Sequence, residues 1–155
     1  MPNDSTILLI GISGVGKSHL AISAISKLAN VVHVQASQLL KEELAAQAEA
    51  LRLGSIQENQ SILVTAFRRK RQNTTGTLLL DSHTIIDGRE GIEVIPFAVF
   101  EAFEPKAMVA VYDEPQIIAE RRNSDLSRIR PQRTAKQLEE HQARSEKVGA
   151  EYATR

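Results

Sequence analysis

The chain has 155 residues, with 19 basic and 19 acidic side chains, no cysteine and only 4% aromatic residues. That length suits one domain with an aliphatic core, and the balanced charge gives no sign of nucleic-acid or anionic-membrane binding. The missing cysteine excludes disulfides, thiolate metal sites and cysteine nucleophiles. No apolar run approaches the ~20 residues that cross a bilayer. Met1-Pro2-Asn3-Asp4 lacks the basic start of a signal peptide. The sequence therefore reads as cytoplasmic.

Thr6 to Ile10 is a continuous apolar, β-branched run that suits a buried parallel strand. Gly11 to Ser18 then reads G-I-S-G-V-G-K-S, a full match to the phosphate-binding loop pattern G-x-x-x-x-G-K-[ST]. A helix is predicted from Lys17 to Ala29, with Leu20, Ile22, Ile25 and Leu28 at helical spacing. Strand, glycine-rich turn and helix are the setting this loop needs. Gly11, Gly14 and Gly16 allow backbone conformations that a Cβ would forbid, so loop N–H groups can hold an anion at the positive end of the helix. Lys17 brings a mobile charge to the β- and γ-phosphates, and the Ser18 hydroxyl is suited to ligate Mg²⁺. The candidate nucleotide-binding set is Gly11, Gly14, Val15, Gly16, Lys17, Ser18 and His19.

A second strand is predicted at Val31 to Val34, and Ser37 is placed to cap a helix over Gln38 to Leu53 with a stripe of Leu40, Leu44, Ala48 and Leu51. Gly54 reads as its stop, and Ser55-Ile56-Gln57-Glu58 as a capping box opening the next helix. That helix carries Ile62, Leu63, Ala66 and Phe67 on one side and ends in Arg68 to Arg71, cations favoured at a helix C-terminus. Asn73 to Gly76 is a turn. Thr77-Leu78-Leu79-Leu80-Asp81 is a third buried strand ending in an acid, suited to reach the Mg²⁺ shell beside Ser18.

Residues 82 to 95 read as irregular, with turn signals at Asp87-Gly88 and Glu90-Gly91. Pro96 opens a short helix, Phe97 to Phe103, whose three phenylalanines suit a core or an interface. A fourth strand is expected at Ala107 to Tyr112, and Pro115 opens a helix to about Arg122. Arg121, Arg122, Arg128, Arg130 and Arg133 crowd around the polar segment 123–133. Positioned arginines stabilise a transferring phosphoryl group, and a loop that closes over it excludes water. Thr134 to Gln137 is another capping box, followed by a final helix to about Tyr152. The alternation predicts an α/β fold of the P-loop NTPase type: three layers, helices on both faces of an open parallel sheet of about four strands. The whole chain, 1–155, reads as one domain. No N-K-x-D segment occurs, which weakens a GTPase reading.

Leu80-Asp81-Ser82-His83-Thr84, Ile95-Pro96 and Pro105 to Tyr112 together resemble the archaeal-type adenylate kinases. So do Ile118 to Arg122, Arg128-Ile129-Arg130 and Leu138-Glu139-Glu140-His141-Gln142. The resemblance covers roughly the whole chain, though 31–76 matches only by layout; the D-x-H and E-E-H-Q stretches are its most telling parts. It implies reversible phosphoryl transfer from Mg·ATP to AMP or a related nucleoside monophosphate, an acceptor-binding segment at about 35–76 and a lid at about 123–133. Carried over by residue, Lys17 would be catalytic with Arg121 against the donor nucleotide and Arg128 and Arg130 as lid arginines. Ser18 and Asp81 would hold the metal, and Ser37, Arg52 and His83 would serve the acceptor. His19, His33 and His141 are isolated, and their side chains are assigned no chemistry. The family normally continues with a fifth strand, which is expected to be absent here. Relatives that form trimers make a homo-oligomer an open expectation. Two alternatives remain: another small-molecule P-loop kinase, and a nucleotide-binding regulator or assembly factor with slow ATPase activity.

Overall fold

The computed structural model describes residues 4–46 and 56–155. Its centre is a parallel four-stranded sheet in the order β2-β3-β1-β6, formed by β1 (Ser5–Ile10), β2 (Val31–Gln35), β3 (Thr77–Asp81) and β6 (Ala107–Ala110). The two most apolar strands lie at the centre, where both faces are covered. Registers run from Ser5 opposite Thr77 to Leu9 opposite Asp81, and from Val31 opposite Thr77 to Gln35 opposite Asp81. Asp81 therefore ends its strand level with Leu9 and Gln35, at the carboxyl edge where open α/β sheets bind ligands.

Alternation sorts the strand side chains into two unequal cores. Leu8, Ile10, Leu78 and Leu80 face helices α2 (Ala36–Ala46), α3 (Ile56–Gln72) and α4 (Phe97–Ala102), meeting Leu39, Leu63, Phe67, Phe100 and Phe103. Leu9 and Leu79 face α1 (Lys17–Ile25) and meet only Ala21 among buried residues. The expected apolar stripe of the first helix does not face the sheet: Leu20, Ile22 and Leu28 are exposed, and the helix ends at Ile25, before Ala29. Ala21 lets α1 lie close on the strands, so the bulkier neighbours project outward.

The segment 82–95, expected to be irregular, holds an antiparallel hairpin of β4 (Ile85–Gly88) and β5 (Gly91–Val94). Its Asp-Gly and Glu-Gly signals flank a two-residue turn, with Gly91 at φ +124°. Ile85 packs with Ile12, Ile118 and Leu138, which seats the hairpin beside the phosphate loop against α5 (Pro115–Ser124) and α6 (Ala135–Ala153). The Thr84 hydroxyl donates to the Ser145 carbonyl at 2.9 Å and lies 2.8 Å from the Ser145 hydroxyl, fixing the hairpin's root to α6. The capping box of α6 forms as expected, with Thr134 and Gln137 each accepting from the other's backbone N–H.

Ser37 does not cap α2. That helix follows β2 without a loop, so Ser37 lies in its first turn. Its buried residues are Ala36, Leu39 and Glu43, and Leu40 and Leu44 are half-buried; Ala48, Leu51, Gly54 and Ser55 lie outside the described residues. Glu43 accepts two bonds from the Arg69 guanidinium, at 2.9 and 3.3 Å, clamping α2 to α3. Arg71 binds the carbonyls of Ser5, Thr74 and Gly76. Arg69 and Arg71, in the basic end of α3, are thus structural. Phe100 and Phe103 are core residues, whereas Phe97 is half-buried against Tyr152 at 5.3 Å. Among the described residues, no helix is long and apolar enough to cross a membrane.

Candidate active site

The loop between β1 and α1 turns on glycines held where side chains are strained: φ is +90° at Gly14 and +101° at Gly16. A Cβ on Gly14 would meet Arg122 Cγ at 2.7 Å. Gly16 occupies the N-cap of α1, and no side chain caps that end. The first-turn N–H groups are thereby left for an anion. Lys17 is only 5% exposed. Its ammonium donates to the carbonyls of Gly11 at 2.7 Å and Ile12 at 3.2 Å and lies 3.9 Å from Asp81 Oδ1. Burial lowers its pKa to about 8, aided by the charge of Arg128 and opposed by Asp81.

Ser18 and Asp81 form the second part. The Ser18 hydroxyl donates to Asp81 Oδ2 at 2.7 Å and accepts from Gln35 Nε2 at 3.1 Å. The serine proton is thus committed to the carboxylate, and the serine oxygen keeps a lone pair for a cation. His83 follows Asp81 and faces the loop. Gly11 O can only accept, so His83 Nδ1 carries the proton of their 3.0 Å hydrogen bond and Nε2 is left as an acceptor. Burial, followed by the charge of Lys17, lowers the His83 pKa to about 3, so the ring is neutral at physiological pH.

The arginines divide between two environments. Arg121 donates to Val15 O at 3.1 Å and pairs with Asp113 at 2.8 Å. Arg130 gives Nε to Ser13 Oγ at 2.8 Å and Nη2 to Asp125 at 2.8 Å, while its Nη1 is buried without a partner among the described residues. Arg128 lines the same cleft. Arg122 and Arg133 turn the other way, to Asp87 on the hairpin, at 3.0 and 2.8 Å, with His141 Nδ1 at 3.7 Å from the same carboxylate. Burial alone would raise the Asp87 pKa; hydrogen bonds from Arg133 and Arg122 outweigh it and hold the carboxyl below its ordinary value. Burial, more than these charges, lowers His141. Arg122 and Arg133 are therefore tethers of the hairpin rather than lid cations.

One cleft of about 330 Å³ brings together Gly14, Gly16, Lys17, Ser18, His19, Ser37, Asp81, His83, Arg121, Arg128 and Arg130. Gly11 and Val15 support it from beneath: Val15 is in the core beside Ile118, and a Cβ on Gly11 would strike Val111 O at 2.6 Å. Arg52 lies outside the described residues. The segment 125–134 joins α5 to α6 without helix or strand, beginning two residues later than the predicted lid because α5 extends to Ser124. Ser13, Gln35, Asp125 and Ser127 also line the cleft and were not singled out from the sequence. Gln35 ends the strand that runs parallel to the one ending at Asp81, a register that the sequence alone does not give.

The profile of the AAA domain family matches residues 10–139. The adenylate kinase of Pyrococcus horikoshii is 26% identical, over 95% of this chain and 79% of its own length. The resemblance to archaeal adenylate kinases is thereby borne out. Among solved structures, the Deinococcus radiodurans tunicamycin resistance protein superposes with a TM-score of 0.62 at 16% identity, over 90% of this chain and 78% of that one. A gluconokinase from Sinorhizobium meliloti 1021 gives 0.50 at 15% identity, over 99% and 94%. These structures share the three-layer fold. Fold and sequence relatives together support a P-loop phosphotransferase.

Proposed function

The chain belongs to the AAA domain family, and we propose that it acts there as a nucleoside monophosphate kinase, passing the γ-phosphoryl group of ATP to AMP or a related monophosphate. The observation that carries this reading is the convergence of Lys17, the Ser18–Asp81 pair, Arg121 and the lid arginines Arg128 and Arg130 on one cleft. The adenylate kinase relatives supply the choice of acceptor. Such a reaction needs no side-chain base, because the acceptor phosphate is already an anionic nucleophile. The protein's part is alignment, charge neutralisation and exclusion of water.

In this reading the uncapped N–H groups of α1 and Lys17 hold the β- and γ-phosphates of the donor. Arg121 lies against the donor nucleotide, exchanging Asp113 for phosphate. Arg128 and Arg130 face the group in transfer, and the unpartnered Arg130 Nη1 suits an anionic oxygen. Ser37 and His83 stand on the acceptor side, the neutral His83 Nε2 accepting from a substrate hydroxyl. The hard oxygen donors Ser18 Oγ and Asp81 fit Mg²⁺, which would neutralise charge on the donor phosphates. The acceptor side is assigned to the described parts of the segment 35–76 and the lid to 125–133, within a single cytoplasmic domain.

His83 also favours a second reading. A neutral acceptor in the cleft suits a kinase whose acceptor is a hydroxyl on a small polyol or sugar acid, the kind of substrate named for the gluconokinase of like fold. Coupled detection of ADP formed from ATP separates the readings, with AMP, other monophosphates, gluconate or no acceptor. Turnover that requires a monophosphate supports the proposal. Turnover that requires gluconate, or none at all, would overturn it, and slow acceptor-independent turnover would mark a nucleotide-binding regulator.

A further inference from the structure

The sequence assigns His33 no chemistry, yet its imidazole is nine-tenths buried and its Nε2 has no hydrogen-bond partner among the described residues. It sits on β2, one step before Gln35 on the same face. Gln35 pairs in register with Asp81, and His33 with Leu79. The strand thus aims two side chains at the Ser18–Asp81 pair: Gln35 reaches the serine hydroxyl at 3.1 Å, and His33 Nε2 points at Asp81 Oδ2 from 3.8 Å. A polar atom buried without a partner costs stability, and an aliphatic residue would fill this strand position without that cost.

We propose that His33 is a positioning residue of the metal site, its Nε2–H supporting the Asp81 carboxylate while Ser18 and Asp81 hold the cation. Closing the gap by about 1 Å brings the pair into hydrogen-bond range. Among the described residues the carboxylate accepts one hydrogen bond, from Ser18 on Oδ2, and the Lys17 ammonium lies 3.9 Å from Oδ1, beyond hydrogen-bond range, so a single bond holds its rotation about Cβ–Cγ. A second donor from the side away from the cleft fixes the plane and keeps Oδ1 turned to the ligand. Partners of this kind, one layer behind the ligands, typically change metal affinity 10–100-fold. The inference rests on the reading of Ser18 and Asp81 as metal ligands.

The test measures binding, not turnover. Affinity for the non-hydrolysable analogue AMP-PNP is taken by calorimetry in Mg²⁺ and in EDTA for the wild type, His33→Leu and His33→Gln. The wild type should gain affinity with Mg²⁺. His33→Leu should lose about tenfold of that gain while its EDTA affinity stays unchanged, and His33→Gln, whose amide still donates, should recover it to within about threefold. An equal gain in His33→Leu and the wild type would overturn the role of His33 alone. A gain in His33→Gln as small as in His33→Leu would also overturn it, since ring packing rather than the donor would then matter. No Mg²⁺ gain in the wild type would overturn both this inference and the metal-site reading.

Discussion

Arg121 and Arg122 are consecutive on α5 and live in different worlds. The Arg121 side chain is 46% exposed and pairs with the part-exposed Asp113; the Arg122 side chain is 6% exposed and pairs with the buried-side carboxylate of Asp87. The contrast repeats within the segment 125–134, where Arg130 faces the cleft through Asp125 and Arg133 faces the hairpin through Asp87. Adjacent helical residues point about 100° apart, so an arginine pair can serve two sides of one helix. The partners decide the job. An exposed carboxylate binds weakly and yields readily to phosphate, whereas a desolvated one shared by two guanidiniums is a fixed joint.

Substitutions on the cleft side should therefore lower rate and leave stability alone, and those on the hairpin side should do the reverse. The largest effect is expected for Lys17→Ala, which should cost 10²-fold or more in phosphoryl transfer with the melting temperature nearly unchanged. Near-normal turnover would break the cleft assignment. Arg128→Ala and Arg130→Ala should lower kcat by about 10- to 100-fold and raise KM less, because their contacts form mainly in the closed transition state. A change confined to KM in steady-state kinetics would make them ground-state binders.

On the other side, Asp87→Ala strands Arg122 in a buried site and should destabilise the fold by about 2–4 kcal/mol in urea titration. A loss of activity at full stability would put Asp87 in the site instead. Acid sharpens the same point. The Asp87 carboxyl is depressed in the folded state, so its contribution is complete above the ordinary value of 3.8 and is lost as pH falls through the lower folded value. Wild-type stability should therefore fall below about pH 4 more steeply than that of Asp87→Ala, as acid unfolding monitored by circular dichroism would show. Equal acid limbs would contradict the joint. The smallest effect is expected for Arg133→Ala, about 1 kcal/mol, since Arg122 still satisfies the carboxylate.

The loop and the central strands were legible because their signals are local. A run such as Thr77 to Asp81 carries three consecutive leucines before its terminal acid, and its end coincides with the sheet edge. The hairpin was not legible. Its strands are four residues each, and their pairing is fixed by Asp87 and Ile85 contacting residues far along the chain. Composition marked five arginines alike; the family resemblance singled out Arg121, Arg128 and Arg130, and the fold adds where Arg122 and Arg133 go, to Asp87. The outward stripe of α1 misled for a related reason. Periodicity shows that a helix has an apolar side, and says nothing about whether the described fold covers it. Gln35 and His33 became visible only through strand register, a non-local property.

The central claim is that the cleft-side arginines await two phosphorylated substrates. Hydrogen exchange across residues 125–133 tests it most directly, with and without a dinucleotide of two adenosines joined by five phosphates, a mimic of donor and acceptor together. The segment lacks helix and strand, and Leu126 and Ile129 are exposed, so exchange in the free protein should be fast. Slowed exchange there on binding, with the hairpin 85–94 unchanged, is the predicted result. Unchanged exchange at 125–133 with saturating dinucleotide would contradict the account.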